Sequence, residues 1–490
     1  MEQLTTLDAG FLEAEDSDRH VSLAIGGLAV MDGPAPDYDV LVATLAERVP
    51  SIPRFTQVLH THLFDLGAPE WADDARFDIA HHVHRRALPQ PGDDAALFGL
   101  VAEIMERRLD RDRPLWECWI IEGLAEGRWA MLTKLHHCIA DGISATHVLT
   151  GLCDGTDGAT FADRIRAAKE SKPPAIRPSG LGLNPLNWIG GMWRLSTAVT
   201  SAAARATMGA VEIAAAVVTP ADSSLTGPVS NLRRYSAARV SLVDVATVCQ
   251  KFDVTINDVA LAAITDSFRA FLMHRGEQPH RNSLRTLVPV SVRSADAFDK
   301  PDNRVSVMLP YLPIELEDPV ERLQAVHSRL ARTKSSGQRQ AGSAFFSAAN
   351  YIPFAMTAWT VRLLTRLPQL GIVTLATNVP GPRHRISIMG RRVVRLLPIP
   401  PIALQLRTGI AMLSYGDDLV FGVTADYDAV PDVDELAHGI ERAVARLVAI
   451  SEGPGGRDGG DKLLLVPHDR WHEMPCIHPA QPNGSAGKPA

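Results

Sequence analysis

Metal-ligand and redox spacings are missing from this chain. Its five cysteines, Cys118, Cys138, Cys153, Cys249 and Cys476, are odd in number and scattered, with no CxxC pair. This excludes a disulfide framework and points to reduced thiols in a cytoplasmic protein. No HExxH occurs, so the compact ligand set of common zinc enzymes is absent. The start, Met1-Glu2-Gln3-Leu4-Thr5, has neither a basic segment nor an apolar one, so no secretion is expected. No apolar run reaches the length of a membrane span. Lys and Arg total 49 against 56 Asp and Glu, a net charge of -7, which leaves no basic field for nucleic acid. No repeat at a solenoid period is visible.

A chain of 490 residues exceeds the usual size of one core, so two domains with a site between them are the default expectation. The first spans 1–175. Breakers at Ser171 to Ala175, Pro178 to Gly180, Thr219 to Asp222 and Gly227-Pro228 bracket an apolar helical linker, 176–228, whose core from Trp188 to Val218 carries Arg194, Arg205 and Glu212. The second domain spans 229–452, and its opening helix has the start signal Thr255-Ile256-Asn257-Asp258. Late in it, Gly409 to Ser414 and Leu419 to Thr424 form a hairpin around Tyr415-Gly416-Asp417-Asp418. Asp432 is the expected N-cap of a closing helix that ends near Gly453-Pro454. The extension 453–490 ends in a Pro-, Gly- and Ser-rich tail expected to be disordered.

What the chain does contain is His136-His137-Cys138-Ile139-Ala140-Asp141-Gly142, placed where the apolar strand Trp129 to Leu135 gives way to a helix from Ser144. An imidazole titrates near neutrality. It can remove a hydroxyl proton as that oxygen attacks an acyl carbon and then return it to the leaving group. Successive side chains of an extended chain point to opposite faces, so His136 and His137 are not expected in one cavity, and Cys138 should point away from the cavity that His137 enters. Asp141-Gly142 supplies a tight turn and a fixed carboxylate.

The His-His-x-x-x-Asp-Gly pattern resembles the CoA-dependent acyltransferase superfamily. Leu4-Thr5-Thr6-Leu7-Asp8-Ala9-Gly10-Phe11-Leu12, Pro114-Leu115-Trp116-Glu117, Asn257-Asp258, Val288-Pro289-Val290-Ser291-Val292-Arg293 and Thr377-Asn378-Val379-Pro380-Gly381-Pro382 narrow the match. In that order they resemble the bacterial wax ester synthase/diacylglycerol acyltransferase family over roughly Leu4 to Ile450. Thr377 stands where the family often has Ser, and the Asp-Phe-Gly-Trp-Gly signature of plant alcohol acyltransferases is absent. The resemblance implies an α/β fold of two chloramphenicol-acetyltransferase-like domains with the active site in a channel between them. It implies His137 as the base, with His136 shaping the turn, and Asp141 bridged to Arg293 to hold the histidine loop. It further implies acyl-CoA as a substrate rather than a cofactor, with diacylglycerol or a long-chain alcohol as acceptor.

Each motif has a plainer reading. Asp141 alone would be a helix N-cap. Thr255 and Asp258 fit a capping box, which makes Asp258 structural. Asn257 and Asn378 are equal candidates to support an oxyanion. Pro114, Leu115 and Trp116 have no titratable group and are expected to wall the acyl path. His82 and His84 are expected to share one face of a strand, and His60 and His62 lie upstream; three or four such histidines could in principle bind zinc, but without compact spacing no metal is expected. The stretches 188–218 and 353–366, the latter with Arg362 and Arg366 on one face, fit either interfacial helices or buried packing helices. Peripheral contact with a membrane or lipid droplet is therefore an expectation. Two rival functions remain in view: a catalytically silent lipid-binding paralogue, and an acyltransferase acting on a carrier-bound polyketide or peptide.

Overall fold

The structure is a computed structural model that describes residues 2–52, 54–61, 68–139, 148, 151–154, 223–291, 305–335, 371–379, 381–382, 384–403 and 405–453. The strands in chain order are Glu2–Gln3 (β1), Ala24–Met31 (β2), Gln57–His60 (β3), Glu70–Asp73 (β4), Val83–Ala87 (β5), Trp116–Leu124 (β6), Arg128–His136 (β7), Arg233–Ser241 (β8), Thr286–Ser291 (β9), Val305–Met308 (β10), Thr374–Val379 (β11), Ser387–Ile388 (β12), Arg391–Ile399 (β13), Thr408–Tyr415 (β14) and Asp418–Asp426 (β15). The longer helices are Thr6–Ser17 (α1), Tyr38–Arg48 (α2), Asp94–Glu106 (α3), Leu242–Phe252 (α4), Ile256–His274 (α5), Pro319–Ser335 (α6) and Val433–Glu452 (α7).

Two six-stranded mixed sheets dominate. The first has the order β12-β13-β2-β7-β6-β5 and the second β10-β9-β11-β14-β15-β8, with a small sheet β1-β4-β3 beside them. Strand β7 is buried along nearly its whole length and serves both faces of the first sheet. Ala130 and Leu132 join one core with residues of α1 and α3, while Trp129, Met131 and Leu135 join the other with residues of α2. One face of the second sheet packs against apolar residues of α4, α5, α6 and α7.

The first sheet is not contiguous in sequence. Residues 387–399 leave the second half and add β13 to β2, from Val393 opposite Met31 to Ile399 opposite Gly26. Pro398 of β13 lies against β15, where Gly422 has no side chain to obstruct it. The Tyr235 hydroxyl of β8 donates to the Pro398 carbonyl at 3.1 Å. The two sheets are thus joined by close backbone approach at this point.

Several local expectations meet their elements. The late hairpin is β14 and β15, turned by Gly416 at φ +57° and Asp417. The capping box is formed: the Thr255 hydroxyl accepts from Asp258 N–H at 3.2 Å, and Asp258 accepts from Thr255 N–H at 2.8 Å. Three readings need correction. The Thr255 helix does not open the second half, because β8 and α4, capped by Ser241, precede it. Asp432 stands at the start of α7 but makes no cap bond; its carboxylate is taken by Arg275 at 2.7 Å. His82 and His84 do not share a strand face. His82 precedes β5 and stacks on Phe77 and Trp116, whereas His84 packs on Trp119, three residues along β6 and so on its other face. The apolar stretches 188–218 and 353–366, the helix start after Gly142, and the tail beyond Gly453 lie outside the described residues.

Candidate active site

The histidine pair sits at the exit of β7. Ala24 opposite His136 is the last pair of the β2–β7 ladder. Strand alternation ends there, since His137 and Cys138 already belong to a turn closed by Ile139 N–H donating to His136 C=O at 2.9 Å. The expectation of opposite faces is corrected accordingly: both imidazoles meet α1. The Phe11 ring stacks on His137 with centroids 4.1 Å apart, and Glu15, one turn later on the same helix face, reaches His136. The motif around Phe11, whose role the sequence does not reveal, is the cover of the histidine pair.

The two histidines are held differently. His136 is buried, and its Nδ1 accepts from Cys138 N–H at 3.1 Å. That assigns its proton to Nε2, which faces Glu15 Oε2 at 3.5 Å, longer than a formed hydrogen bond. His137 is partly exposed, and its N–H donates to Leu23 C=O at 3.0 Å. Cys138 is buried in the core, and desolvation pushes its thiol well above the usual range, which disfavours the thiolate.

Glu15 and Arg111 are functional candidates that sequence reasoning missed. Glu15 is 1% exposed. Burial alone would raise its carboxyl, but His136, the Leu23 N–H at 2.9 Å and Arg111 Nη2 at 2.7 Å outweigh it and hold the group at about 2. Arg108 fastens the end of the same helix through the carbonyls of Glu15 and Asp18. The available signal was an acidic residue one turn after Phe11 on an otherwise buried helix face. Lys134, also on β7 and wholly buried, donates to the carbonyls of Ile104 at 2.8 Å and Arg107 at 2.5 Å, closing the C-terminal end of α3. Burial lowers its pKa.

Of the other candidates, Leu115 and Trp116 adjoin the pair through the backbone, because Leu115 C=O accepts from His136 N–H at 3.0 Å. Their side chains part: Leu115 belongs to the core under α1 and α3, and Trp116 to the opposite one. Trp116 stacks between Phe55 and His82 and donates from Nε1 to Phe55 C=O at 2.8 Å. A path on one side of the sheet can therefore use only one of them as wall. Pro114 is buried just before β6.

Two domain descriptions match the chain: the wax ester synthase/diacylglycerol acyltransferase catalytic domain over residues 4–260, and the WS/DGAT C-terminal domain over 302–447. A Mycobacterium tuberculosis protein named as the diacylglycerol O-acyltransferase tgs1 is 60% identical over 452 residues, covering 92% of this chain and 97% of the relative. The chain belongs to the wax ester synthase/diacylglycerol acyltransferase family. A second M. tuberculosis diacylglycerol O-acyltransferase by name is 50% identical over 96% of this chain and 94% of its own. The wax ester synthase/diacylglycerol acyltransferase of Marinobacter aquaeolei VT8 shares the fold, with a TM-score of 0.63 at 24% identity over 92% of this chain and all of that one. So does the first condensation domain of the calcium-dependent antibiotic synthetase, at 0.57 and 15% over 93% and 97%.

Within this acyltransferase family framework, the remaining candidates lie on the second half. Asn257 and Asp258 open α5, and Asn378 is on β11 opposite Met412. Asn257 is 4% exposed, and its side-chain oxygen has no hydrogen-bond partner among the described residues. Asp258, besides capping, meets His327 Nδ1 of α6 at 2.8 Å. Gly381 of the Asn-Val-Pro-Gly-Pro motif is pressed on β14, where a Cβ would stand 2.0 Å from the Ser414 carbonyl oxygen. Asp141, Gly142 and Arg293 lie outside the described residues, so the Asp141–Arg293 bridge has no geometry here. Among the described residues, no three His, Cys, Asp or Glu side chains converge as metal ligands, and no helix is long and apolar enough to cross a membrane.

Proposed function

We propose that this chain is an acyl-CoA-dependent O-acyltransferase that forms triacylglycerol from diacylglycerol, wax esters from long-chain alcohols, or both, with His137 as general base. The supporting observation is the contrast at the β7 exit: His136 and Cys138 are buried, and His137 between them keeps a partly open side chain backed by Phe11. His137 removes the hydroxyl proton as the oxygen attacks the thioester carbonyl. The tetrahedral intermediate then collapses, the thioester C–S bond breaks, and the proton passes to the CoA sulfur. The buried, proton-retaining Cys138 favours this direct attack over an acyl-cysteine route. Asn257 or Asn378 supports the oxyanion, while Asp141 and Arg293 brace the histidine loop.

The thioester supplies its own activation, so no cofactor or metal takes part. Diacylglycerol is the favoured acceptor, since relatives at 60% and 50% identity carry that name. Such acceptors reside in lipid, and the protein works from the cytoplasmic side, attached peripherally to membrane or lipid-droplet surfaces. Purified protein given labelled palmitoyl-CoA with dioleoylglycerol or hexadecanol, and its products separated by thin-layer chromatography, tests the reading. Labelled triacylglycerol or wax ester is expected; no product with either acceptor would favour the silent lipid-binding alternative. Flotation with anionic and neutral vesicles tests the attachment, which fails if the protein stays wholly in the aqueous fraction.

A further inference from the structure

We infer that Glu15 is the positioning residue of the histidine pair, setting His136 by charge and His137 through the main chain of Leu23; this rests on His137 being the base. The β2–β7 ladder ends at Ala24 opposite His136, so the ladder itself does not fix His137. Glu15 extends it. Oε1 accepts from Leu23 N–H at 2.9 Å, and the carbonyl of the same residue accepts from His137 N–H at 3.0 Å. Oε2 faces His136 Nε2 at 3.5 Å and Arg111 Nη2 at 2.7 Å. One carboxylate thus touches the main chain that holds the base and the ring beside it.

A charge this deeply buried is costly unless well partnered, and replacing such a group with apolar packing is often neutral for stability. Arg111 alone is a poor reason for it, because Arg111 is partly exposed and also binds Asp16 at 3.0 Å on the surface. The other two partners are His136 itself and the Leu23 main chain to which His137 N–H is bonded. A glutamine cannot replace the carboxylate: its single oxygen can serve Leu23 N–H or His136 Nε2–H, and its NH2 then faces a donor at the other position. Glu15 is too buried to meet substrate, so its loss should act on turnover, not on binding.

The test compares wild type, Glu15→Gln, the double variant Glu15→Gln with Arg111→Met, and His137→Ala. Glu15→Gln should lower kcat roughly 10–100-fold while KM for palmitoyl-CoA and dioleoylglycerol stays within about twofold. The double variant also removes the guanidinium that has lost its buried carboxylate partner and keeps only the Asp16 carboxylate, and it should stay as slow. Wild-type kcat in Glu15→Gln would overturn the inference. So would recovery of turnover in the double variant, which would reduce Glu15 to a counter-ion for Arg111. If Glu15→Gln does not fold, the double variant decides; if neither folds, the carboxylate is a requirement of the fold and the inference falls. His137→Ala separates the two claims: near-wild-type turnover there refutes the base itself, whereas its inactivity beside an active Glu15→Gln refutes only the positioning role.

Discussion

Gly422→Ala should break the junction of the two sheets. The added Cβ would stand 1.7 Å from the Pro398 carbonyl oxygen, 2.9 Å from its carbon and 3.0 Å from the Tyr235 hydroxyl. Non-bonded heavy atoms settle near roughly 3.5 Å, so β13 and β15 must part by more than about 1 Å. Neither is free to yield, since β13 is laddered to β2 and β15 is paired on both sides by β14 and β8. Overpacking of this kind costs about 1–3 kcal/mol and sometimes more. Parting the strands also leaves the buried Tyr235 hydroxyl and the Pro398 carbonyl unpaired, adding about 1–3 kcal/mol. The sum is a large fraction of the ~5–15 kcal/mol that typically holds a native protein together. Thermal unfolding followed by circular dichroism, with acyl transfer measured on the folded fraction, should show a strongly lowered transition. Gly27→Ala is the control: Gly27 pairs with Pro398 across the β2–β13 ladder, yet a Cβ there meets nothing within 4 Å. It should be neutral or slightly stabilising, by up to about 1 kcal/mol. A Gly422→Ala protein with the transition and activity of wild type would refute the close-approach reasoning.

His137→Ala should reduce turnover by ~10²–10⁴-fold or more with unchanged circular dichroism, and His136→Ala should cost less in rate and more in stability; single-turnover acyl transfer and thermal unfolding separate the two. Glu15 should make the protein acid-labile. Its carboxyl is held at about 2 against an ordinary 4.5, so its stabilisation is complete above about pH 4.5 and is lost as pH falls toward 2. Urea unfolding of wild type should therefore lose on the order of 3 kcal/mol more across that window than Glu15→Gln does, the other depressed carboxyls being common to both. Asp258→Ala removes the acceptor of Thr255 N–H and the partner of His327, and should destabilise by about 1–3 kcal/mol in thermal unfolding; an unchanged transition would deny the capping box its weight.

Short-range physics made part of this molecule legible from its residues alone. The apolar run before His136 reads as a buried strand, Gly416-Asp417 between alternating segments as a tight turn, and Thr255 three residues before Asp258 as a helix start, because burial pattern, positive φ and capping are satisfied within a few residues. The ordered motifs located the histidine pair for the same reason, and they implied the family. What tertiary structure decided are pairings between residues remote in sequence. The acidic residue one turn after Phe11 is a local hint, but it does not name His136 as the partner, since an acidic residue on a helix is ordinarily solvated and only the packing of α1 over the β7 exit makes this one buried. Arg275 takes Asp432 from its expected cap, and Trp119 draws His84 away from His82. The strand β13 joins a sheet begun more than three hundred residues earlier, as its register with β2 shows. Hydrophobic pattern tells a segment to be a strand with buried faces; it does not name the neighbour, because any edge of matching length and burial would satisfy it until the whole chain has chosen one.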